Sequence, residues 1–196
     1  MDKVILAMIS FAFVGAVTPG PVNLLAISTS LNYGKKAAFW HVTGASLTYA
    51  LVVFCSGSMM QSILTVLPRL ELTMKLCGSL FLCYLVYKIG FAPYSSVRSS
   101  SSVQSGFRTG SLTQLLSPKA WMVAMSGVSL YVIDQGNETI LLSLFTCISL
   151  IICFICVGLW AMIGRLFSAY LENPVRQRQF NRIMAGVLFA SVVMIW

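Results

Sequence analysis

The sequence predicts an all-α membrane protein with six transmembrane helices, arranged as a 3+3 inverted repeat in which helices 1 and 4 are interrupted. Of its 196 residues, 58% are hydrophobic and 9% are charged, and the mean hydropathy is +0.86. Soluble domains contain about 45–50% apolar and about 25% charged residues. The apolar residues fall into six runs, and prolines break one run in each half of the chain. Since a helical span takes about 20 apolar residues, we expect one helical bundle without a separate soluble domain.

Short stretches of Gly, Pro, Ser and charged residues separate the six apolar runs. The predicted spans are residues 4–31, 37–60, 68–91, 107–133, 139–167 and 180–196. Lys3 followed by an apolar stretch could imitate a cleavable signal peptide. The apolar run continues past Pro21 to Leu31, so we expect a retained first span. The last predicted span is the shortest of the six.

The basic residues predict the orientation of the chain, because Lys and Arg accumulate in short cytoplasmic loops. In the six-span arrangement nine basic residues fall on one side and three on the other, with Lys119 in neither set. The nine are Lys35, Lys36, Lys88, Arg98, Arg108, Arg165, Arg176, Arg178 and Arg182; the three are Lys3, Arg69 and Lys75. Both termini are therefore predicted to be periplasmic. The net charge of +8 does not indicate nucleic-acid binding, which needs basic residues gathered on one soluble face.

A serine-rich stretch divides the chain into two halves of similar length. Residues 1–92 form the first predicted three-helix repeat, residues 93–106 a cytoplasmic linker and residues 107–196 the second repeat. Three spans per half is an odd number, so the halves enter the membrane in opposite senses. Pro118 interrupts the first span of the second half much as Pro19 and Pro21 interrupt that of the first. Matching interrupted helices indicate a transporter's binding site near the midplane.

These two proline-containing stretches resemble the LysE/RhtB family of bacterial amino-acid exporters. The similarity is carried by Thr18-Pro19-Gly20-Pro21 with Asn23, by Asn32-Tyr33-Gly34 with Lys35 and Lys36, and by Ser117-Pro118-Lys119-Ala120. Two positions depart from the family pattern: Val22, where relatives often carry a polar residue, and Ser117, where they usually have Asn. The resemblance implies export of an amino acid from the cytoplasm across the bacterial inner membrane, driven by the proton-motive force.

The predicted substrate-binding and translocation residues surround the two breaks. They are Thr18, Pro19, Gly20, Pro21, Asn23, Gln114, Ser117, Pro118 and Lys119. Amides after Gly20 or Pro118 could hold a substrate carboxylate, as helix N-termini do. Freed carbonyls or Asn23 could meet its ammonium group. The alternative is that the prolines only kink helices for packing, with hydroxyl groups satisfying the backbone.

Two further polar residues have both a functional and a structural interpretation. A lysine near the bilayer centre is costly, so Lys119 is predicted to be compensated by the anionic group of the substrate. It could instead extend along its stem to an interface. His41, the only histidine, could carry protons, but its position at the start of the second span favours an interfacial residue.

The positions of the acidic residues restrict the charge of the expected substrate. Asp2, Glu71, Asp134, Glu138 and Glu172 all fall in loops or near span ends. No carboxylate is then available at mid-membrane to neutralise a cationic side chain, so a lysine or arginine substrate is disfavoured. We expect a neutral amino acid such as homoserine, threonine, cysteine or leucine, which several of the resembled exporters carry. The residue that carries protons is not assigned.

The sequence has three alternative functional interpretations besides transport. An intramembrane thiol-disulfide carrier would place cysteines at the breaks, which contain none; Cys153 and Cys156 share one span and are expected to pack as small hydrophobes. A non-transporting membrane subunit would tolerate loss of the prolines. The sequence argues against an enzyme, since no nucleophile, base and orienting residue occur together, and no metal or cofactor is expected. The predicted partners are the amino acid, protons and the lipid bilayer; the oligomeric state is left open, a homo-oligomer included.

Overall fold

Seven helices make up the described part of the chain, and that part contains no strand. The structure, a computed structural model, describes residues 2–59, 76–87, 89–91, 103–133, 136–166 and 173–193. The helices are α1 (Asp2–Val17), α2 (Pro21–Ser58), α3 (Leu76–Tyr87), α4 (Val103–Leu115), α5 (Pro118–Tyr131), α6 (Glu138–Leu166) and α7 (Pro174–Val193). The predicted all-helical class is confirmed for these residues.

The first part of α2 is the central element of the fold. Every residue from Val22 to Leu31 is buried, which is typical of a helix enclosed on all sides. Val22 and Ala26 belong to an apolar core formed with α1, α5 and α6, while Leu24 and Leu25 belong to a second core formed with α3 and α7. This segment therefore holds the two cores together.

A break at Gly34 divides α2 into two helical segments. Gly34 has a φ of +82° and a ψ of −177°, in a region that L-residues with a side chain rarely occupy. It lies in the gap between the first two predicted spans, residues 32–36. The boundary predicted from the sequence therefore coincides with an actual break in helical geometry.

The second segment of α2 packs against α4 with little space between the two backbones. A Cβ at Gly110 would lie 3.0 Å from the backbone nitrogen of Ala45 and closer still to the carbonyl oxygen of His41. Gly106 meets the backbone of Ala37 in the same way. Small residues that let backbones approach closely are typical of helix contacts in membranes.

Two helices, α2 and α6, are long and apolar enough to cross a membrane, and α1 and α3 are shorter apolar helices. One side of α6 leaves large apolar side chains exposed, among them Ile151, Phe154, Ile155, Leu159 and Met162. A continuous exposed apolar surface of this kind suits contact with lipid.

Parts of the predicted organisation lie outside the described residues. This applies to residues 93–102 of the serine-rich linker, to residues 68–75 of the third predicted span and to Asp134. At the other ends the elements differ by a few residues: α4 begins at Val103 rather than at residue 107, and α7 at Pro174 rather than at residue 180. The arrangement of the helices as a 3+3 inverted repeat stays a prediction.

Candidate functional site

The first interruption separates α1 from α2 at Thr18, Pro19 and Gly20. Pro21 is the first residue of α2, a position where its missing N–H is not needed. Gly20 precedes it in an extended conformation, with φ of −161° and ψ of 177°. Proline chemistry therefore ends one helix and starts the next, as the sequence predicts.

The second interruption separates α4 from α5 at Leu116 and Ser117. Pro118 is the first residue of α5, and Ser117 before it is extended, with φ of −85° and ψ of 111°. The Ser117 hydroxyl makes no capping bond to α5. Pro118 has no N–H, and the amides of Ala120 and Trp121 donate to the Ser117 carbonyl oxygen at 3.0 and 3.5 Å. In the first turn of α5 this leaves the Lys119 amide without an intrahelical partner.

The two interruptions lie next to each other, although they are about half the chain apart in sequence. The Lys119 Nζ donates a hydrogen bond to the carbonyl oxygen of Thr18 at 2.8 Å. A Cβ at Gly20 would lie 3.6 Å from the same nitrogen. Lys119 thus joins the start of α5 directly to the end of α1.

Side chains from two other helices, α2 and α6, also satisfy carbonyl groups at the end of α1. The Asn23 Nδ2 donates to the carbonyl oxygens of Ala16 and Thr18, both at 3.0 Å, and the Trp160 Nε1 donates to that of Val17 at 3.3 Å. These bonds account for groups that the break deprives of helical partners. We expected these carbonyls and Asn23 to be free for a substrate ammonium; in this conformation they are engaged with the protein.

A carbonyl group at the end of α4 also accepts a hydrogen bond from a side chain. The Trp121 Nε1 donates to the carbonyl oxygen of Leu115 at 2.9 Å. A tryptophan indole therefore caps the C-terminus of each interrupted helix, Trp160 for α1 and Trp121 for α4. Neither tryptophan was predicted to take part.

A small cavity of about 50 Å³ lies between the two interruptions. Since a water molecule occupies about 30 Å³ in the liquid, the cavity has room for about two. Its lining consists of Gly15, Ala16, Gly20, Pro21, Val22, Asn23, Tyr49, Gln114, Ser117, Lys119, Ala120, Val123, Cys153 and Val157.

Six of the nine predicted site residues line this cavity: Gly20, Pro21, Asn23, Gln114, Ser117 and Lys119. Thr18, Pro19 and Pro118 do not line it. Thr18 is exposed, its hydroxyl donates to the carbonyl oxygen of Val14, and only its own carbonyl reaches Lys119. Pro19 is exposed and Pro118 is half-buried at the start of α5.

Three lining residues come from outside the interrupted stretches and were missed. Tyr49 belongs to the second segment of α2, and Cys153 and Val157 belong to α6. Nothing in the sequence distinguishes them from the neighbouring residues of long apolar runs. Their spacing of four along α6 shows only that Cys153 and Val157 share a helix face.

His41 is not where the sequence suggested. It is fully buried rather than interfacial, and its Nε2 lies 3.2 Å from the carbonyl oxygen of Val22. Its Nδ1 has no hydrogen-bond partner within the described residues. His41 does not itself line the cavity, and it reaches the site only through Val22, which does.

The electrostatics of the cavity are set by helix ends and one ammonium group. The C-terminus of α1 contributes partial negative charge, and the N-termini of α2 and α5 contribute partial positive charge. Among the described residues that line it, Lys119 is the only charged one, and none is a carboxylate. Within the described residues no cluster of three or more His, Cys, Asp or Glu could hold a metal ion. The arrangement is complementary to a small molecule that carries both charges.

Comparison with known proteins places this sequence in a family. The sequence model of the LysE type translocator family matches residues 13–194. The cysteine/O-acetylserine efflux proteins of Salmonella typhimurium (strain LT2) and Escherichia coli (strain K12) are each 24% identical over 190 residues, covering 95% of this chain and 94% of theirs. That of Klebsiella pneumoniae is 23% identical over 195 residues, covering 96% and 95%. No solved structure gave a significant match. The match over nearly the whole chain shows that it belongs to the LysE type translocator family.

Proposed function

We propose that this protein is a secondary transporter that exports a small neutral amino acid, or a close derivative, from the cytoplasm across the bacterial inner membrane. Its family consists of translocators, and the relatives named above are efflux proteins. The substrate class proposed here includes cysteine and O-acetylserine, which those relatives' names give. Nothing in the comparisons favours a thiol-disulfide carrier or a non-transporting subunit.

The observation that carries the proposal is the hydrogen bond between Lys119 and the Thr18 carbonyl. It brings the two interrupted helices to one cavity, where opposite helix ends face each other. Amides at a helix N-terminus suit a carboxylate, and carbonyls at a helix C-terminus suit an ammonium group. A zwitterion supplies both.

The cavity also limits the side chain that the substrate carries. Among the described residues its lining has no carboxylate that could neutralise a cationic side chain, and leaving a buried charge unpaired is costly. This lining supports a neutral substrate over lysine or arginine.

The transport cycle is proposed to follow from two inverted repeats. Residues 1–92 and 107–196 would form oppositely oriented three-helix units that alternate around the cavity, with both termini periplasmic and with the proton-motive force as the energy source. The break at Gly34 and the interruptions at Pro19 and Pro118 support this division, because each falls where the repeat requires an irregular backbone. The residue that couples proton movement is left unassigned.

Purified protein in liposomes tests the proposed function. We expect labelled cysteine or O-acetylserine to move about tenfold or more faster than through protein-free liposomes, a difference that corresponds to about 1.4 kcal/mol. An imposed proton gradient should increase the rate, and lysine should not be transported. Correctly inserted protein that moves no neutral amino acid would contradict the proposal, and transport of lysine at the rate of cysteine would contradict the neutral-substrate assignment.

A further inference from the structure

At the Thr18 carbonyl oxygen, the ammonium group of Lys119 occupies a site that would also suit the ammonium group of a substrate. It accepts hydrogen bonds from the Lys119 Nζ at 2.8 Å and from the Asn23 Nδ2 at 3.0 Å. The other two acceptors at the end of α1, the carbonyls of Ala16 and Val17, are bonded by neutral groups only, those of Asn23 and Trp160. Lys119, the one charged donor among these groups, therefore bonds to a single carbonyl beside the cavity.

We propose that Lys119 is a tethered competitor for the ammonium site of the substrate, and that only a molecule with a carboxylate can displace it. The inference rests on the proposed function. The substrate's ammonium group takes the place of the Lys119 ammonium on the Thr18 carbonyl. Lys119 then turns to the substrate's carboxylate at the N-terminus of α5, where its own backbone amide has no intrahelical partner.

The exchange is chemically balanced because both competitors are primary ammonium groups with the same hydrogen-bonding capacity. The number of ammonium–carbonyl bonds is unchanged, and one ammonium–carboxylate pair is gained. A simple amine gives no such gain. It would displace the half-buried Lys119 ammonium group from the Thr18 carbonyl and offer no carboxylate in return, so a hydrogen bond to a charged donor would be lost without compensation. The protein would therefore discriminate against amines without a dedicated repulsive residue.

The Lys119 side chain borders the cavity next to Gly20, and both residues line it. A Cβ at Gly20 would make ordinary van der Waals contact with the lysine, 3.6 Å from its Nζ and 3.7 Å from its Cδ. The ammonium group can therefore leave the Thr18 carbonyl towards the cavity.

Cysteine and cysteamine form a matched pair for testing this exchange, because cysteamine lacks only the carboxylate. We expect wild-type protein in liposomes to transport cysteine and to exclude cysteamine. Lys119→Met removes the competitor and the carboxylate partner together, so cysteine transport should fall while cysteamine transport rises. The ratio of the two rates should change by about tenfold or more, which corresponds to about 1.4 kcal/mol.

The outcomes separate the inference from the proposed function. Wild-type protein that transports no neutral amino acid overturns the proposed function and the inference with it. Wild-type transport of cysteine combined with a Lys119→Met variant that loses cysteine and gains no cysteamine overturns only the inference. If the Met variant does not insert, Lys119→Gln, which keeps a donor and removes the charge, should shift the ratio in the same direction; an unchanged ratio in that variant likewise overturns it.

Discussion

Gly110→Val is expected to destabilise the folded protein by about 3 kcal/mol, as overpacking does where neighbours cannot move. The added side chain would meet the backbone of His41 and Ala45, and a helix backbone cannot yield as a flexible side chain can. The contact between the second segment of α2 and α4 would open. Thermal unfolding of the purified protein in detergent should show the loss as a lower midpoint and a reduced yield of monodisperse protein.

Gly158→Val provides the matched control for that experiment. Gly158 lies inside α6, and, apart from the backbone of its own helix turn, no heavy atom of the described residues lies within 4 Å of the position that its Cβ would occupy. The same change in side chain and in helix propensity is thus made where there is space. Equal unfolding temperatures for the two variants would contradict the close packing of α2 on α4.

Asn23→Asp is expected to impair both stability and transport. The Asp side chain has nearly the same shape, but when ionised it has no hydrogen to donate to the carbonyl oxygens of Ala16 and Thr18, which the Asn23 amide bonds at 3.0 Å. The Ala16 carbonyl then loses its side-chain donor, whereas the Thr18 carbonyl keeps Lys119, and a carboxylate is placed against both carbonyl oxygens. An unsatisfied buried group costs about 1–3 kcal/mol, and a charged group costs more. We expect a loss of about 3 kcal/mol in unfolding free energy and a fall of about tenfold or more in transport per inserted molecule.

Asn137→Asp makes the same chemical change on an exposed residue. Asn137 lies just before α6 and its side chain is exposed. This variant should unfold and transport as the wild-type protein does. If Asn23→Asp behaved in the same way as Asn137→Asp, the Asn23 amide would not hold the end of α1 together.

The positions of the helix breaks could be predicted from the sequence because they follow from local chemistry. Pro19, Pro21 and Pro118 remove N–H groups and fix their own φ, so each marks a break wherever the rest of the chain lies. Gly34 is similar, since it falls in the polar gap between two apolar runs and adopts a positive φ. These effects need no knowledge of the tertiary structure.

The partners across the site could not be predicted, because they depend on how each helix is rotated about its axis. In an apolar run such as α6 nearly every face is hydrophobic, so no pattern identifies Cys153 as facing the cavity or Trp160 as facing the end of α1. The position of His41 was misjudged for the same reason. Its place near a predicted span end suggested an interface, whereas close packing of α2 on α4 buries it.

The partner of Lys119, the Thr18 carbonyl, could not be predicted from the sequence either. Sequence alone suggested that a lysine beside Pro118 needs compensation, and it offered either a substrate anion or an interface. The structure supplies a backbone carbonyl from the other half of the chain. Such a partner is invisible in the sequence, because every residue carries a carbonyl and only the break in α1 leaves this one without a helical donor.

Labelling of single cysteines tests most directly whether the cavity between the interrupted helices binds the substrate. Cys153 lines the cavity and Cys156, one turn further along α6, does not, although both are buried. Two variants, each retaining one of these cysteines with the other five replaced by alanine, would be treated with a small methanethiosulfonate reagent. We expect Cys153 to react, a transported amino acid to slow that reaction, and Cys156 to remain unreactive. Equal labelling of both cysteines, or labelling of Cys153 that no amino acid slows, would contradict a substrate site between the two breaks.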